Sequence, residues 1–218
     1  MGSRAGALIH QGRKKSSGLL QRPISEPDLR RLLSGIQEEI NIKKLHLGCG
    51  KRYIPGFVHV DLADYPHIDY RTDVSDLSVF EDNSIELIYA CHVLEHFKRY
   101  EVEKVLNEWY RVLAPEGILR LAVPDFEAVV LVYEKHKDLE PLMGLLYGGQ
   151  QYEYNFHHVL FDFKYLEKLL KKVGFKNIHR YDWRNTVHKD YDDFSQAYIP
   201  HMDKDNGILM SLNVECTK

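Results

Sequence analysis

Apolar residues recur along this chain at two different spacings. Short apolar or alternating runs appear at Lys44–Leu47, Phe57–Asp61, Ile68–Arg71, Ile85–His92 and Ile118–Pro124. Each is too short for a helix and is flanked by Gly, Pro or Asp, so each reads as a strand. Between and around them the apolar positions fall three and four apart. Leu29, Leu32, Leu33, Ile36 and Ile40 form one such stripe, within an amphipathic helix expected over about 27–40 with Ser25 as a candidate cap. Val102, Val105, Leu106, Trp109, Val112 and Leu113 form another, within a helix expected from Tyr100 to Leu113 and ended by Pro115 and Gly117. Residues 126–148 read as a further helical segment and Lys164–Val173 as a helix stopped by Gly174. Phe175–Tyr181 reads as a sixth strand. After a loop of about 25 residues, Ile208–Cys216 reads as a seventh. Strands alternating with helices predict a parallel α/β sheet.

Two strand ends carry chemistry. Lys44-Leu45-His46-Leu47 runs into Gly48-Cys49-Gly50, and the next strand ends in Asp61. Glycines let a backbone turn tightly and approach a ligand closely. A carboxylate at the following strand tip can accept two hydrogen bonds from a ribose diol. This pairing predicts an adenosine-containing cofactor across the carboxyl ends of the strands. A Gly-x-Gly alone is also compatible with an ordinary strand-to-loop turn. A nicotinamide-dependent dehydrogenase would use the same pair, but it would bring a third glycine and a helix.

Further phrases sharpen the reading. LHLGCG, FVHVDL, DNSIELIYACHVLEHF, VLNEWYRVLAPEGILRLAVPD and LEKLLKKVGF occur in this order between about residues 43 and 182. In these the chain resembles the class I S-adenosylmethionine (SAM) dependent methyltransferases, of the small type-11 kind. The resemblance implies a Rossmann-like α/β fold: a seven-stranded, mostly parallel sheet with an antiparallel last strand between the fifth and sixth, and helices on both faces. It implies SAM as cofactor and S-adenosylhomocysteine as product. It also implies that Gly48, Cys49 and Gly50 pass beneath the amino-acid part. Asp61 and the following Leu62 would meet the ribose, Asp73 and Val74 the adenine, and Ala90, Cys91 and His92 the sulfonium side. Asp73 is equally placed to cap a turn. One departure stands out: only Lys51-Arg52-Tyr53-Ile54-Pro55-Gly56 separates Gly50 from Phe57. Six residues with a proline cannot make a useful helix, so a loop or single turn is expected, with Lys51 or Arg52 available to the cofactor's carboxylate.

The acceptor side is expected in the segment of about 148–163, which is long, aromatic and polar and follows the fifth strand, where the resembled enzymes build their pocket. Tyr147, Tyr152, Tyr154 and Phe156 offer an aromatic wall. Of the pair His157-His158, His157 is the expected general base. His92 is a second catalytic candidate.

His92-Val93-Leu94-Glu95-His96 also matches H-x-x-E-H, a zinc-peptidase signature. On a helix both histidines would share a face. Here His92 ends a strand before any helix begins, and no third ligand is evident, so no metal is expected at that pair; Glu95 and His96 are expected to lock the loop and helix start together. The function read from sequence is methyl transfer to a small-molecule or sugar-like (glycan-like) acceptor. The alternatives are a zinc metallopeptidase using His92, Glu95 and His96, and a non-catalytic SAM-fold binding protein.

Composition trims the alternatives. A net charge of −3 over 218 residues lacks the basic excess of a general nucleic-acid binder, so no nucleic-acid partner is expected. Residues 1–22 hold five basic groups and no acid and read as a flexible tail, dispensable for folding, ahead of a single domain over 23–218. No apolar run approaches a membrane span. The cysteines Cys49, Cys91 and Cys216 are odd in number and far apart, which fits a reducing, cytoplasmic location. Oligomeric state is not encoded in any pattern found here.

Overall fold

The computed structural model describes residues 44–218. The expected tail (1–22) and the expected helix at about 27–40 lie outside the described residues. The strands are β1 Lys44–Leu47, β2 Val58–Asp61, β3 Tyr70–Arg71, β4 Ile85–Cys91, β5 Leu113–Pro124, β6 Lys176–Arg180, β7 Tyr198–Ile199, β8 Ile208–Leu209 and β9 Ser211–Thr217. The helices are α1 Val102–Val112, α2 Phe126–His136, α3 Met143–Tyr147 and α4 Phe163–Val173. Seven strands form one sheet in the order β3-β2-β1-β4-β5-β9-β6. The pairs from β3 through to β5 are parallel, and β9 runs antiparallel to both β5 and β6. The strand order and the inserted antiparallel strand are as expected; of the expected helices on both faces, the described residues show α1 and α4 packed on one.

Alternation along the strands sorts the sheet into two faces. Leu45, Leu47, Ile88, Ala90, Leu119, Leu121, Leu212 and Val214 point into the main core. There they meet Val105, Leu106 and Trp109 of α1 and Leu166 and Leu170 of α4. The other face carries His46, Tyr89, Arg120 and Asn213. Over the described residues it is covered by the 181–210 connection, through Tyr89 Oη to Asp193 (2.6 Å) and Asn213 Nδ2 to the Ser195 carbonyl (2.9 Å).

Between β3 and β4 the chain makes turns rather than a helix, and α1 supplies the missing partners. Trp109 Nε1 donates to the Val74 carbonyl (2.8 Å). The Arg111 guanidinium donates to the carbonyls of Leu77 (3.0 Å) and Phe80 (3.1 Å) and pairs with Glu108 and Asp82. Carbonyls that no helix satisfies thereby gain donors from two α1 side chains.

Three sequence-derived boundaries are corrected. The segment 126–148 is not one helix: Lys137 sits at φ 53°, closing α2, and a short turn at Glu140–Leu142 with Pro141 restarts the chain into α3. The expected strand Ile208–Cys216 is two: β8 pairs with β7 in a small hairpin, and after Met210 the chain enters the main sheet as β9. Met210 N–H donates to the Ala197 carbonyl (2.8 Å), which turns the chain between the two sheets. The fifth strand begins five residues early, at Leu113, because Ile85 pairs with Leu113 before the register shifts to Leu87 with Ile118. Ala114–Gly117 is an irregularity within the strand rather than a turn ahead of it.

Candidate active site

The order β2-β1-β4 places a topological switch at β1, and ligands of open α/β sheets bind outside the carboxyl ends at such a point. A cavity of about 1300 Å³ opens there. It runs from Gly48, Gly50 and Asp61 at one end to His96, His157 and the 148–155 loop at the other.

The glycine turn has the geometry that its residues allow. Gly48 has φ 60° and Gly50 φ 54°, a region other residues rarely adopt. A Cβ on Gly48 would collide with Val93 Cγ2, whereas a Cβ on Gly50 would meet nothing within 4 Å. The first glycine is required by packing; the second leaves open space beside the backbone. Asp61 is oriented by two backbone donors, Gly50 N–H (2.7 Å) and Ala63 N–H (2.7 Å). The expected absence of a helix after Gly50 is observed. The six-residue connection is pinned instead by Ile54 N–H donating to His59 Nε2 (3.0 Å). That leaves the proton on Nδ1, 3.4 Å from Asp69.

Most of the residues expected at the cofactor line this one cavity: Gly48, Cys49, Gly50, Asp61, Leu62, Asp73, Val74, Cys91 and His92. Asp73 is exposed and accepts Ser75 N–H (2.8 Å), so it also makes the turn that the competing reading allowed. Burial, and then Asp61 nearby, push the Cys49 thiol up to about 12; burial raises Cys91 as well. Both thiols stay protonated and neither is a nucleophile. Lys51 and Arg52 line the cavity too. Arg52 is committed to a second segment: its Nε donates to the Asp192 carbonyl (3.0 Å) and its guanidinium stacks 4.7 Å from the Phe194 ring centre.

His92 leaves β4 at φ 54°. Its ring lies between Glu95, with Nδ1 3.3 Å from Oε1, and Ser211 Oγ, 3.4 Å from Nε2. Burial holds its pKa down to about 3. Glu95 is fully buried, and neither carboxyl oxygen has a hydrogen-bond partner among the described residues; desolvation raises it to about 8. His96 Nδ1 donates to the Phe156 carbonyl (3.1 Å), and Glu95 accepts His158 N–H through its backbone carbonyl (2.8 Å). These two bonds tie the 148–163 loop to the segment after β4.

Both histidines line the cavity, but His157 has only 8 % of its side chain exposed whereas His158 is exposed. His157 Nδ1 donates to the Leu145 carbonyl (2.9 Å), so Nε2 carries the lone pair, 4.0 Å from Glu95 Oε1.

The sequence reading missed the second wall. Asp193 and Phe194 line the cavity from within the 181–210 connection, which reads in sequence as loop. The Asp193 side chain caps a short turn at Phe194–Gln196, and the only local signal is Asp followed by Ser two residues on. Their proximity to β4 is a tertiary fact with no mark in the sequence.

Residues 55–121 match the family model described as Methyltransferase domain. No curated protein matches the chain. Similar solved structures include the 1,6-didemethyltoxoflavin-N1-methyltransferase of Burkholderia thailandensis (14 % identity, TM-score 0.50, covering 87 % of this chain and 77 % of that one). A possible exported protein of Bordetella parapertussis has the same TM-score of 0.50 at 12 % identity, covering 88 % and 68 %. A SAM-dependent methyltransferase of Archaeoglobus fulgidus gives 0.49 at 12 %, covering 87 % and 94 %. Such low identities speak for the fold. With the domain match over residues 55–121, the chain carries a methyltransferase domain and is similar in fold to the class I SAM-dependent methyltransferases. S-adenosylmethionine is the cofactor that such a domain implies.

Proposed function

We propose that this protein methylates a small-molecule or sugar-like acceptor at the His157 end of the cavity. What carries the reading is that one continuous cavity joins the Asp61 tip to His157. At about 1300 Å³ it exceeds the roughly 300–1,000 Å³ of an ordinary single-ligand pocket, which leaves room for two ligands end to end. SAM supplies an activated methyl with its own leaving group. The remaining work is binding, alignment and exclusion of water. We assign the ribose hydroxyls to Asp61, the amino-acid part to the open side of Gly50, and the adenine to the Asp73–Val74 edge. Tyr152 and Tyr154, 62 % and 61 % exposed, stand at the rim where a ring or sugar face could stack. His157 Nε2 is the lone pair we assign to the acceptor's side.

The B. thailandensis structure of the same fold holds 1,6-didemethyltoxoflavin and S-adenosylhomocysteine, in keeping with two small ligands in such a cavity. The experiment is turnover against a panel of small hydroxylated and glycosidic acceptors, followed as S-adenosylhomocysteine formation with mass detection of the methylated product. Methylation of a panel member supports the reading. Methylation confined to proteins or nucleic acids in parallel assays would overturn the acceptor class.

A further inference from the structure

Three side chains converge beside the acceptor end of the cavity. Glu95, His96 and His157 each place one potential ligand atom within 4.8 Å of the other two. The His96 and His157 rings meet edge to face, 4.9 Å between centres and at 71°. Each imidazole is anchored through Nδ1 to a backbone carbonyl, Phe156 for His96 and Leu145 for His157. A carbonyl only accepts, so each Nδ1 carries the proton and each Nε2 a lone pair. This is the outer-shell support that metal-binding histidines usually have. The third member, Glu95, is 0 % exposed, and both its carboxyl oxygens lack a hydrogen-bond partner among the described residues. A buried carboxylate facing lone pairs and no aligned donor is costly unless it takes up a proton or a cation.

We propose that Glu95, His96 and His157 form a binding site for a divalent transition-metal ion of the zinc kind. Two imidazoles and one carboxylate suit such an ion, whereas magnesium and calcium take oxygen-only sets. A triangle of this size puts each ligand atom within about 1 Å of a zinc–ligand bond, about 2.0–2.2 Å. Three protein ligands leave positions open, as in catalytic rather than structural sites. His96 and His157 line the cavity, so the open side faces the acceptor. There the ion would hold and acidify an acceptor oxygen, replacing His157 Nε2 as the activating group because that lone pair would then be a ligand; this role, though not the binding itself, rests on the proposed function. His92 is outside this three-residue cluster; its Nδ1 lies 3.3 Å from Glu95 Oε1 and its ring is steadied by Ser211. It orients the carboxylate rather than binding the ion. The set therefore differs from the peptidase-like His92 and His96 pair: the third ligand arrives from His157, sixty-one residues after His96.

The test uses tag-free full chain, stripped with a chelator, mixed with zinc and gel-filtered. Elemental analysis is expected to give about one zinc per chain. Glu95→Gln, His157→Ala and His96→Asn should each weaken zinc affinity by more than the about 10–100-fold typical of lost outer-shell partners. His179→Ala, at an exposed histidine on the sheet edge, should keep it. Circular dichroism and S-adenosylhomocysteine calorimetry on the same samples report folding and the cofactor site. Cobalt in place of zinc should give a visible absorption band that the three variants lose. Wild-type protein retaining no zinc, or folded variants retaining it fully, would overturn the site. Zinc retained without S-adenosylhomocysteine binding would instead overturn the methyltransferase reading and leave the site standing.

Discussion

At the scale of single residues, the site rests on a few side chains whose neighbours fix what they can do. The two glycines make the contrast plain. Gly48→Ala pushes a methyl into Val93 at positive φ, so we expect a loss of about 1–3 kcal/mol in urea unfolding. Gly50→Ala has the same backbone strain but meets open space, so it should cost less stability and instead weaken SAM binding, read by calorimetry. Equal stability losses with unchanged affinity would contradict the assignment of that space to the cofactor. His157→Ala should lower turnover by about 10²–10⁴ with SAM affinity intact, while His158→Ala, which removes an exposed ring, should alter neither. His46 gives a pH signature. It is buried beside Tyr89, Phe57 and His59, and burial, with His59, His188, Arg52 and His67 nearby, holds its pKa down to about 3. The unfolded chain binds that proton near 6.5 and the folded chain does not. Stability is therefore lost as pH falls from 6.5 toward 3. His46→Phe should make that loss shallower, by up to about 1.4 kcal/mol per pH unit. Unfolding curves between pH 7 and 4 with identical slopes would refute the buried neutral imidazole.

At the scale of elements, the molecule makes side chains do what longer helices would do elsewhere. Arg111 is the clearest case, holding the helix-free connection from β3 to β4. We expect Arg111→Ala to cost about 1–3 kcal/mol, because the Phe80 carbonyl loses this donor and the Leu77 carbonyl keeps only the Phe80 N–H. A loss below about 0.5 kcal/mol would mean that water replaces it freely. The strands and α1 were legible in the sequence because their periodicity is local: apolar alternation and three-four spacing need no knowledge of the fold. The break at Lys137 was not, since Ala128–Tyr133 and Leu142–Leu146 are both apolar and the chain between them carries only Pro141 as a warning. The split of the last strand at Met210 was equally hidden. It depends on a hydrogen bond to Ala197, thirteen residues earlier, and on a hairpin partner with a weak strand pattern.

At the scale of the whole molecule, the switch in strand order places one cavity over the ends of β1, β2 and β4, and two loops far apart in sequence wall it in. The end of the cavity at Gly48, Gly50 and Asp61 was legible because glycine and aspartate at strand tips have specific conformational and hydrogen-bonding uses. The end at His157 was only half legible. His157 was named from its loop, but its meeting with Glu95 and His96, and the wall at Asp193 and Phe194, arise from packing across the sheet. The central claim is that this cavity binds S-adenosylmethionine through Asp61, and calorimetry with S-adenosylhomocysteine tests it most directly. Wild-type protein should bind one molecule per chain, and Asp61→Ala should weaken binding by about 1.5–3 kcal/mol, the scale of charge-assisted hydrogen bonds, with the fold intact by circular dichroism. No binding by the wild type at millimolar ligand, or an unchanged affinity in Asp61→Ala, would contradict it.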